Sequence, residues 1–212
     1  MTDIESKKKR VIERVSFGDD APAPPHPHLI RSDFHFEDHL DRPPLRELRP
    51  AAVLVPIIER DHDLTILLTR RADHLESHSG QVAFPGGKMH DEDADEIATA
   101  LRETHEEVGI ASKHIELIGQ LDPYETGTGF IIRPVVGFVA PDVALTLDPG
   151  EVAEAFEVPF SFLMDPVNHR RERTFWRGKM REYYEMPYKG QRIWGATAAM
   201  LVNFYTRLYG HD

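Results

Sequence analysis

At 212 residues, 41% apolar and 29% charged, the chain has room for one sizeable core and an additional segment, with the composition of an ordinary globular protein. The formal net charge of -11, from 36 acidic and 25 basic residues, excludes a broad basic footprint for nucleic acid but leaves an anionic substrate open, because a bound metal reverses the local sign of a site. The absence of cysteine excludes disulfides, thiolate metal sites and cysteine nucleophiles, and with no signal-peptide stretch or membrane-length apolar run a soluble, cytoplasmic protein that binds no membrane is expected.

Residues 1–48 differ in character from the rest and read as an N-terminal extension, with the folded domain over 49–212. Met1 to Val15 suits a short charged helix, and Ala21-Pro22-Ala23-Pro24-Pro25-His26-Pro27-His28 reads as an extended, polyproline-like connector. His26 and His28 resemble a metal pair, but their place in that connector argues against one. The apolar run Ala51 to Ile58 predicts a buried strand, Asp61-His62-Asp63 a turn, and Leu64 to Thr69 the returning strand of a hairpin. A polar loop from Arg70 to Gly80 leads into Gln81-Val82-Ala83-Phe84 and a Pro85-Gly86-Gly87 turn.

The segment 94–108 holds good helix formers without glycine or proline, and Ile97, Ala100, Leu101, Thr104 and Val108 recur at helical spacing as its expected buried face. Gly109 is placed to end that helix. Strands are predicted near 114–121 and 130–139, a short acidic helical stretch at the start of 151–159, a hairpin through Arg173–Trp176 and Tyr183–Met186, and a terminal helix from Gly195 to Tyr209. Strands mixed with two well-separated core helices imply a layered α/β domain with a mixed sheet.

On the 94–108 helix, Glu103 and Glu107 are i, i+4 neighbours with Glu106 beside them, in a sector of roughly 100° away from the apolar stripe. Like charges so placed destabilise a helix by a few tenths of a kcal/mol, about 0.2–0.5. Most acidic helix faces are simply solvated, and three glutamates alone would carry little. Two further features favour a hard divalent cation such as Mg²⁺ or Mn²⁺, which takes oxygen ligands. Arg102 is able to hold a neighbouring carboxylate by a bidentate contact. The Gly86-Gly87 turn lets backbone approach a metal or phosphate.

These residues resemble the Nudix family. Its box is written G-x5-E-x7-R-E-U-x-E-E-x-G-U, with U a bulky apolar residue, and Arg102 to Ile110 matches at every specified position except Thr104. In the first half, the expected Glu falls on Ala94 and the expected Gly on Lys88, so one extra residue lies between Gly87 and the helix. Asp93, Asp95 and Glu96 are the nearby carboxylates for the missing role. The coenzyme A diphosphatase branch shares this spacing and an upstream signature close to L-L-T-x-R-[SA]-x3-R-x3-G-x3-F-P-G-G. Leu67 to Gly87 agrees with it everywhere except Glu76, where arginine is expected. The resemblance extends through Thr126 to Phe130, Pro149 to Val152 and Ile193 to Ala198, covering about residues 50–209.

The resemblance implies a Nudix-type α/β/α sandwich and metal-dependent hydrolysis of a nucleoside diphosphate derivative. Coenzyme A or its thioesters would yield 3′,5′-ADP and 4′-phosphopantetheine or its acyl form. Glu103, Glu107, Glu106 and the Gly87 carbonyl are the implied metal ligands. Arg102 is an orienting residue, and Glu106 and Glu151 are both open as general base, Glu151 otherwise being a first-turn carboxylate favoured by a helix dipole. Arg70, Arg71 or Lys88 would replace the missing arginine against a substrate phosphate, with Gly86, His78, Tyr124 and Phe130 as further substrate contacts. A local hydrogen bond is the alternative for His78, and Trp194 reads as core or a helix–sheet contact rather than a base platform. A Nudix hydrolase for ADP-ribose, dinucleotides or nucleoside triphosphates is the rival, a non-catalytic nucleotide sensor the second. A homodimer is compatible with all of these.

Overall fold

β1 (Arg49–Glu59) carries eight consecutive buried residues, Ala51 to Ile58, so layers must cover both of its faces. β2 (Leu64–Arg71) returns antiparallel as the hairpin pattern predicts, with Ile57 opposite Ile66 and Glu59 opposite Leu64. The two strands then splay. β2 turns to pair with β3 (Val82–Ala83), whereas β1 pairs with β4 (Gly86–Lys88), placing Ala52 opposite Gly87 and Val53 opposite Gly86. The amide of Leu54 donates to the Pro85 carbonyl at 2.9 Å. Val82 to Lys88 is therefore a wedge driven into the open end of the hairpin.

This computed structural model describes residues 2–15, 32–33, 48–176 and 179–210, so the proline-rich connector with His26 and His28 lies outside the described residues. β7 (Phe130–Val139) runs parallel to β1, from Arg49 beside Phe130 to Ile58 beside Val139. β5 (Ile115–Gln120) and β6 (Tyr124–Glu125) pair with β7 antiparallel, and β8 (Val152–Pro159) closes the far side of β2. The result is a mixed eight-stranded sheet. A short helix α3 (Phe160–Leu163) and a three-stranded antiparallel sheet of β9 (Arg170–Trp176), β10 (Lys179–Tyr188) and β11 (Gln191–Trp194) follow it.

The expected acidic helical start of 151–159 is instead strand β8 from Val152. Its acidic residues face arginines on the neighbouring elements: Arg60 Nε and Nη2 donate to Glu157 at 2.9 and 2.6 Å, and Arg70 Nε lies 3.7 Å from Glu154. Cross-strand charge pairing of this kind suits an edge strand better than a first helical turn.

α2 (Glu96–Val108) covers one face of the sheet, where Ala100 packs with Ala52, Leu54 and Val135. Asp95 caps it by accepting from the Ala98 amide at 2.8 Å, and Gly109 ends it in the left-handed conformation at φ 76°. α1 (Asp3–Val15) and α4 (Gly195–Tyr209) cover the other face, and Val11, Val15, Phe204 and Leu208 share one core with Val53 and Val55. Three layers, α/β/α, result. Among the described residues no helix is long and apolar enough to cross a membrane.

The charged sequence of α1 masks a stripe of Ile4, Val11 and Val15, which is what docks it. Arg10 Nη1 donates to the Leu208 carbonyl at 3.3 Å, and Lys7 Nζ meets Asp63 at 2.7 Å. The helix ends against the bulge between Leu117 and Gly119, where a Cβ on Gly119 would lie 1.7 Å from the Val15 carbonyl oxygen. Gly119→Ala should therefore lift the end of α1, at a cost of about 1–3 kcal/mol from overpacking. Hydrogen exchange should show lost protection over residues 3–15 together with a lower melting temperature; unchanged protection there would refute the docking contact.

Candidate active site

The wedge and α2 meet at the glycines. Glu103 and Glu107 are buried, 9% and 3% exposed, whereas Ile97 and Leu101 are only half-buried. The expectation that all three glutamates face away from the packed side is thus corrected: Glu106 does, its side chain 55% exposed, but the other two point at the wedge. Gly86 and Gly87 make this possible. A Cβ on Gly87 would sit 2.6–2.7 Å from the Glu103 carboxylate, and one on Gly86 2.4 Å from the Ala52 carbonyl oxygen. Space that side chains would fill elsewhere in the sheet is occupied here by carboxylate oxygens.

Arg102 organises the acidic groups around it. Its Nε and Nη2 grip Asp93 bidentately at 2.9 and 2.8 Å, Nη1 donates to Glu103 Oε1 and Glu106 Oε2 at 2.9 Å each, and Nη2 also reaches the Lys88 carbonyl at 3.1 Å. Asp93 further accepts from the His90 amide at 2.9 Å and from the Thr99 hydroxyl at 3.0 Å. Asp93 is therefore the acidic partner of Arg102, while Asp95 serves as the helix cap. The Arg102 guanidinium holds the Asp93 carboxyl well below the usual range, and Asp93 in turn raises Arg102 further above its own. The cluster is a fixed clamp of charge-assisted bonds.

Glu107 is less well compensated. Its Oε2 accepts from the Gly86 amide at 3.2 Å, and Arg71 Nη1 lies 3.9 Å from Oε1. Burial pushes the Glu107 carboxyl up to about 8; Gly86 and Arg71 act against this, and the charges of Glu103 and Glu151 add to it. Burial also raises the Glu103 carboxyl, opposed by Arg102 and reinforced by Glu106 and Glu151. Two buried carboxylates with too few donors suit a hard cation that accepts oxygen ligands. Among the described residues no three acidic or histidine side chains already stand as a ligand set, so Glu103 and Glu107 would form the core of such a site with other oxygens added to them.

Glu151 is exposed in the turn after Asp148, where its amide donates to the Asp148 carbonyl at 3.1 Å and its carbonyl accepts from the Ala72 amide at 2.8 Å. The next residue opens β8, so there is no helix for Glu151 to begin and the helix-dipole alternative falls. Its charge reaches both buried glutamates.

The remaining expected substrate contacts are scattered around this centre. Arg70 is committed to Asp73 at 2.8 Å and to Glu154. The Arg71 Nε is buried and has no hydrogen-bond partner among the described residues. His78, at φ 57°, pairs Nδ1 with Gln81 Oε1 at 2.9 Å, the local contact expected as its alternative, and Glu76 is exposed in the same loop. Lys88 is exposed, and its Nζ lies 6.0 Å from the centre of the Phe130 ring. Tyr124 is buried, its hydroxyl donating to Asp33 at 2.7 Å, so it props a wall instead of presenting an open surface. Trp194 is half-buried, packed edge-on to Tyr183 at 5.6 Å with Arg192 over it at 4.6 Å.

Asp33 is missed by sequence reasoning. Its carboxylate accepts from the Gly127 amide at 2.6 Å as well as from Tyr124, and its own amide donates to the Glu125 carbonyl at 3.0 Å. No motif points to it; the only sequence signal is an aspartate able to tie down a Thr/Gly-rich loop.

The fold and this site define an α/β/α protein with two buried carboxylates set against a glycine wedge. The NUDIX domain profile matches residues 48–177, and the chain belongs to the Nudix family as one of its hydrolases. Over 175 residues it is 42% identical to a protein of Photorhabdus laumondii named uncharacterized Nudix hydrolase NudL, a match covering 80% of this chain and 93% of that one. A protein of the same name from Escherichia coli is 39% identical over 177 residues, 82% of this chain and 92% of the relative. Among solved structures, a MutT/nudix family protein from Enterococcus faecalis aligns at a TM-score of 0.49 and 15% identity, covering 99% of this chain and 76% of the other. Hydrolases of this family use divalent metal ions.

The raised Glu107 carboxyl has a consequence for stability. Between the usual carboxyl value near 4.5 and about 8, the folded state holds a proton that the unfolded state has released, so stability falls as pH rises through that window and levels off above it. In chelator-treated protein, Glu107→Gln should match wild type at pH 5 and melt higher at pH 8.5, by on the order of several degrees. A difference that stays constant with pH would show that Glu107 is not the group responsible.

Proposed function

We propose that this hydrolase cleaves the diphosphate of coenzyme A or its thioesters, releasing 3′,5′-ADP and 4′-phosphopantetheine or its acyl form. The observation that carries this reading is the continuity of the Leu67–Gly87 signature with the wedge: the run that resembles the coenzyme A diphosphatase branch ends on the two glycines packed against Glu103 and Glu107.

Glu103 and Glu107 would hold a divalent cation, Mg²⁺ or Mn²⁺, with the Gly87 carbonyl and Glu106 as further oxygens. When bound, the cation neutralises charge on the phosphoryl oxygens and acidifies an attacking water. Arg102 fixes the rotamers of Glu103 and Glu106, so the carboxylates need not reorganise during reaction. Of the two candidate bases, Glu106 has an oxygen committed to Arg102, while the Glu151 side chain makes no hydrogen bond or ion pair among the described residues and lies within charge reach of the buried pair. Glu151 is therefore the better placed to take the proton from water. No covalent intermediate is needed. The flanking wall held by Asp33 and Tyr124 belongs to the substrate side of this reading.

The test is a panel of coenzyme A, ADP-ribose and dinucleoside polyphosphates with Mg²⁺ or Mn²⁺, scored by product chromatography. Coenzyme A should give 3′,5′-ADP at the highest kcat/KM. Intact coenzyme A beside cleaved ADP-ribose would transfer the assignment to that rival substrate. Glu103→Gln should lower kcat by about a hundredfold or more while leaving the melting temperature within a few degrees. Undiminished turnover would remove Glu103 from the site, and no turnover of any diphosphate by wild type would favour a nucleotide sensor.

A further inference from the structure

The pairing register places Arg49, Ala51, Phe130, Ile132 and Lys88 on one face of the sheet, the face opposite α2. β4 thus turns Gly87 towards the Glu103 carboxylate and the next residue, Lys88, towards the Phe130 ring. Arg49 lies over that ring at 4.0 Å, with Lys88 Nζ at 6.0 Å. The arginine is held from two further sides: its amide donates to the Gly129 carbonyl at 3.0 Å and Nη2 to the Thr128 carbonyl at 3.3 Å. The loop supplying those carbonyls is itself tied down at Gly127 by the Asp33 carboxylate.

Among the described residues, no carboxylate compensates the charges of this pair. In a chain with 36 acidic residues, Arg60, Arg70, Arg102, Arg171, Arg173 and Arg192 each hold a carboxylate. Among the described residues Arg49 and Lys88 hold none, although both are exposed and next to an acidic centre. Stacking on Phe130 fixes the guanidinium plane and leaves most of its N–H donors unused, the arrangement that suits a tetrahedral oxyanion. A second cation within reach favours a dianion over a single charge.

We propose that Arg49 and Lys88, mounted on Phe130, bind a phosphate monoester of the substrate distinct from the diphosphate that is cleaved. The site then selects nucleoside diphosphate derivatives that bear an additional phosphate on the nucleoside. It supplies the cationic contact that Glu76 cannot, and in place of Arg70 and Arg71, whose guanidinium groups already face carboxylates. The inference rests on the diphosphatase reading given above.

Coenzyme A and dephospho-coenzyme A differ only in the 3′-phosphate, so the ratio of their kcat/KM values, measured on the full chain with Mg²⁺, reads the site directly. Wild type should favour the phosphorylated substrate about tenfold or more. In Arg49→Met and in Lys88→Met that ratio should fall several-fold, in the double variant to about one, with Arg49→Lys intermediate because the stacked plane is lost and the charge kept. A wild-type ratio near one, or a double variant that keeps the preference, would overturn the proposal. Lys88 is exposed, so its variant reports even where an Arg49 variant fails to fold. If neither substrate is cleaved, the diphosphatase reading fails on its own. Calorimetry with 3′,5′-ADP and AMP then decides the subsite: tighter binding of 3′,5′-ADP, lost in Lys88→Met, supports it, and equal affinities refute it.

Discussion

Two carboxylates from one helix are buried against two glycines, and the rest of the molecule is arranged around that contact. Glu103 and Glu107 could not lie beneath a normally paired sheet, because a side chain at Gly87 would occupy the place of the Glu103 oxygens. The hairpin of β1 and β2 has to splay for the Val82–Lys88 segment to enter, and only this entry presents the Gly86 amide to Glu107. The arrangement costs stability, since buried like charges with few donors are unfavourable until something positive joins them. A bound cation would reverse that sign, so ligand binding and stability are coupled at the same two side chains.

Arg102 limits the cost on one side of the pair. By gripping Asp93 bidentately and sharing Nη1 between Glu103 and Glu106, it offsets part of their negative charge and fixes their rotamers. The extra residue between Gly87 and the helix also becomes intelligible. It moves the acidic partner off the position expected at Ala94, and Asp93 reaches Arg102 from the loop before the helix while Asp95 is left to cap it. Glu107 lies beyond the reach of Arg102 and depends on Arg71 and a backbone amide, which is why its carboxyl is the more perturbed.

Periodicity and turn chemistry made much of this legible in the sequence. The hairpin of β1 and β2, helix α2 with its Gly109 stop, strands β5 and β7 and helix α4 follow the expected spans closely, because each has a strong apolar pattern bounded by turn residues. What the pattern could not convey depends on tertiary placement. A helical wheel puts Glu103 and Glu107 on the polar side, and only the missing side chains of a distant wedge make that side buried. The start of β8 looks helical through its acidic residues until arginines on neighbouring elements are in place. Asp33 and Arg49 carry no motif; their importance comes from what β6 and β7 bring beside them.

The docking of α1 adds a constraint on how the chain is made. This helix is translated before the segments it docks on: its seat on Gly119 and its contacts with Leu208 and Tyr209 belong to segments made roughly a hundred and two hundred residues later. Until those segments emerge its apolar stripe has no surface to cover, and the sheet face beneath it stays open until α4 is made. Closure of that face is a long-range event, slowed by the loop entropy of joining two elements so far apart in sequence. The dense charge on the outer side of α1 then has a use before folding is complete: it keeps an unpartnered amphipathic helix from associating with other nascent chains.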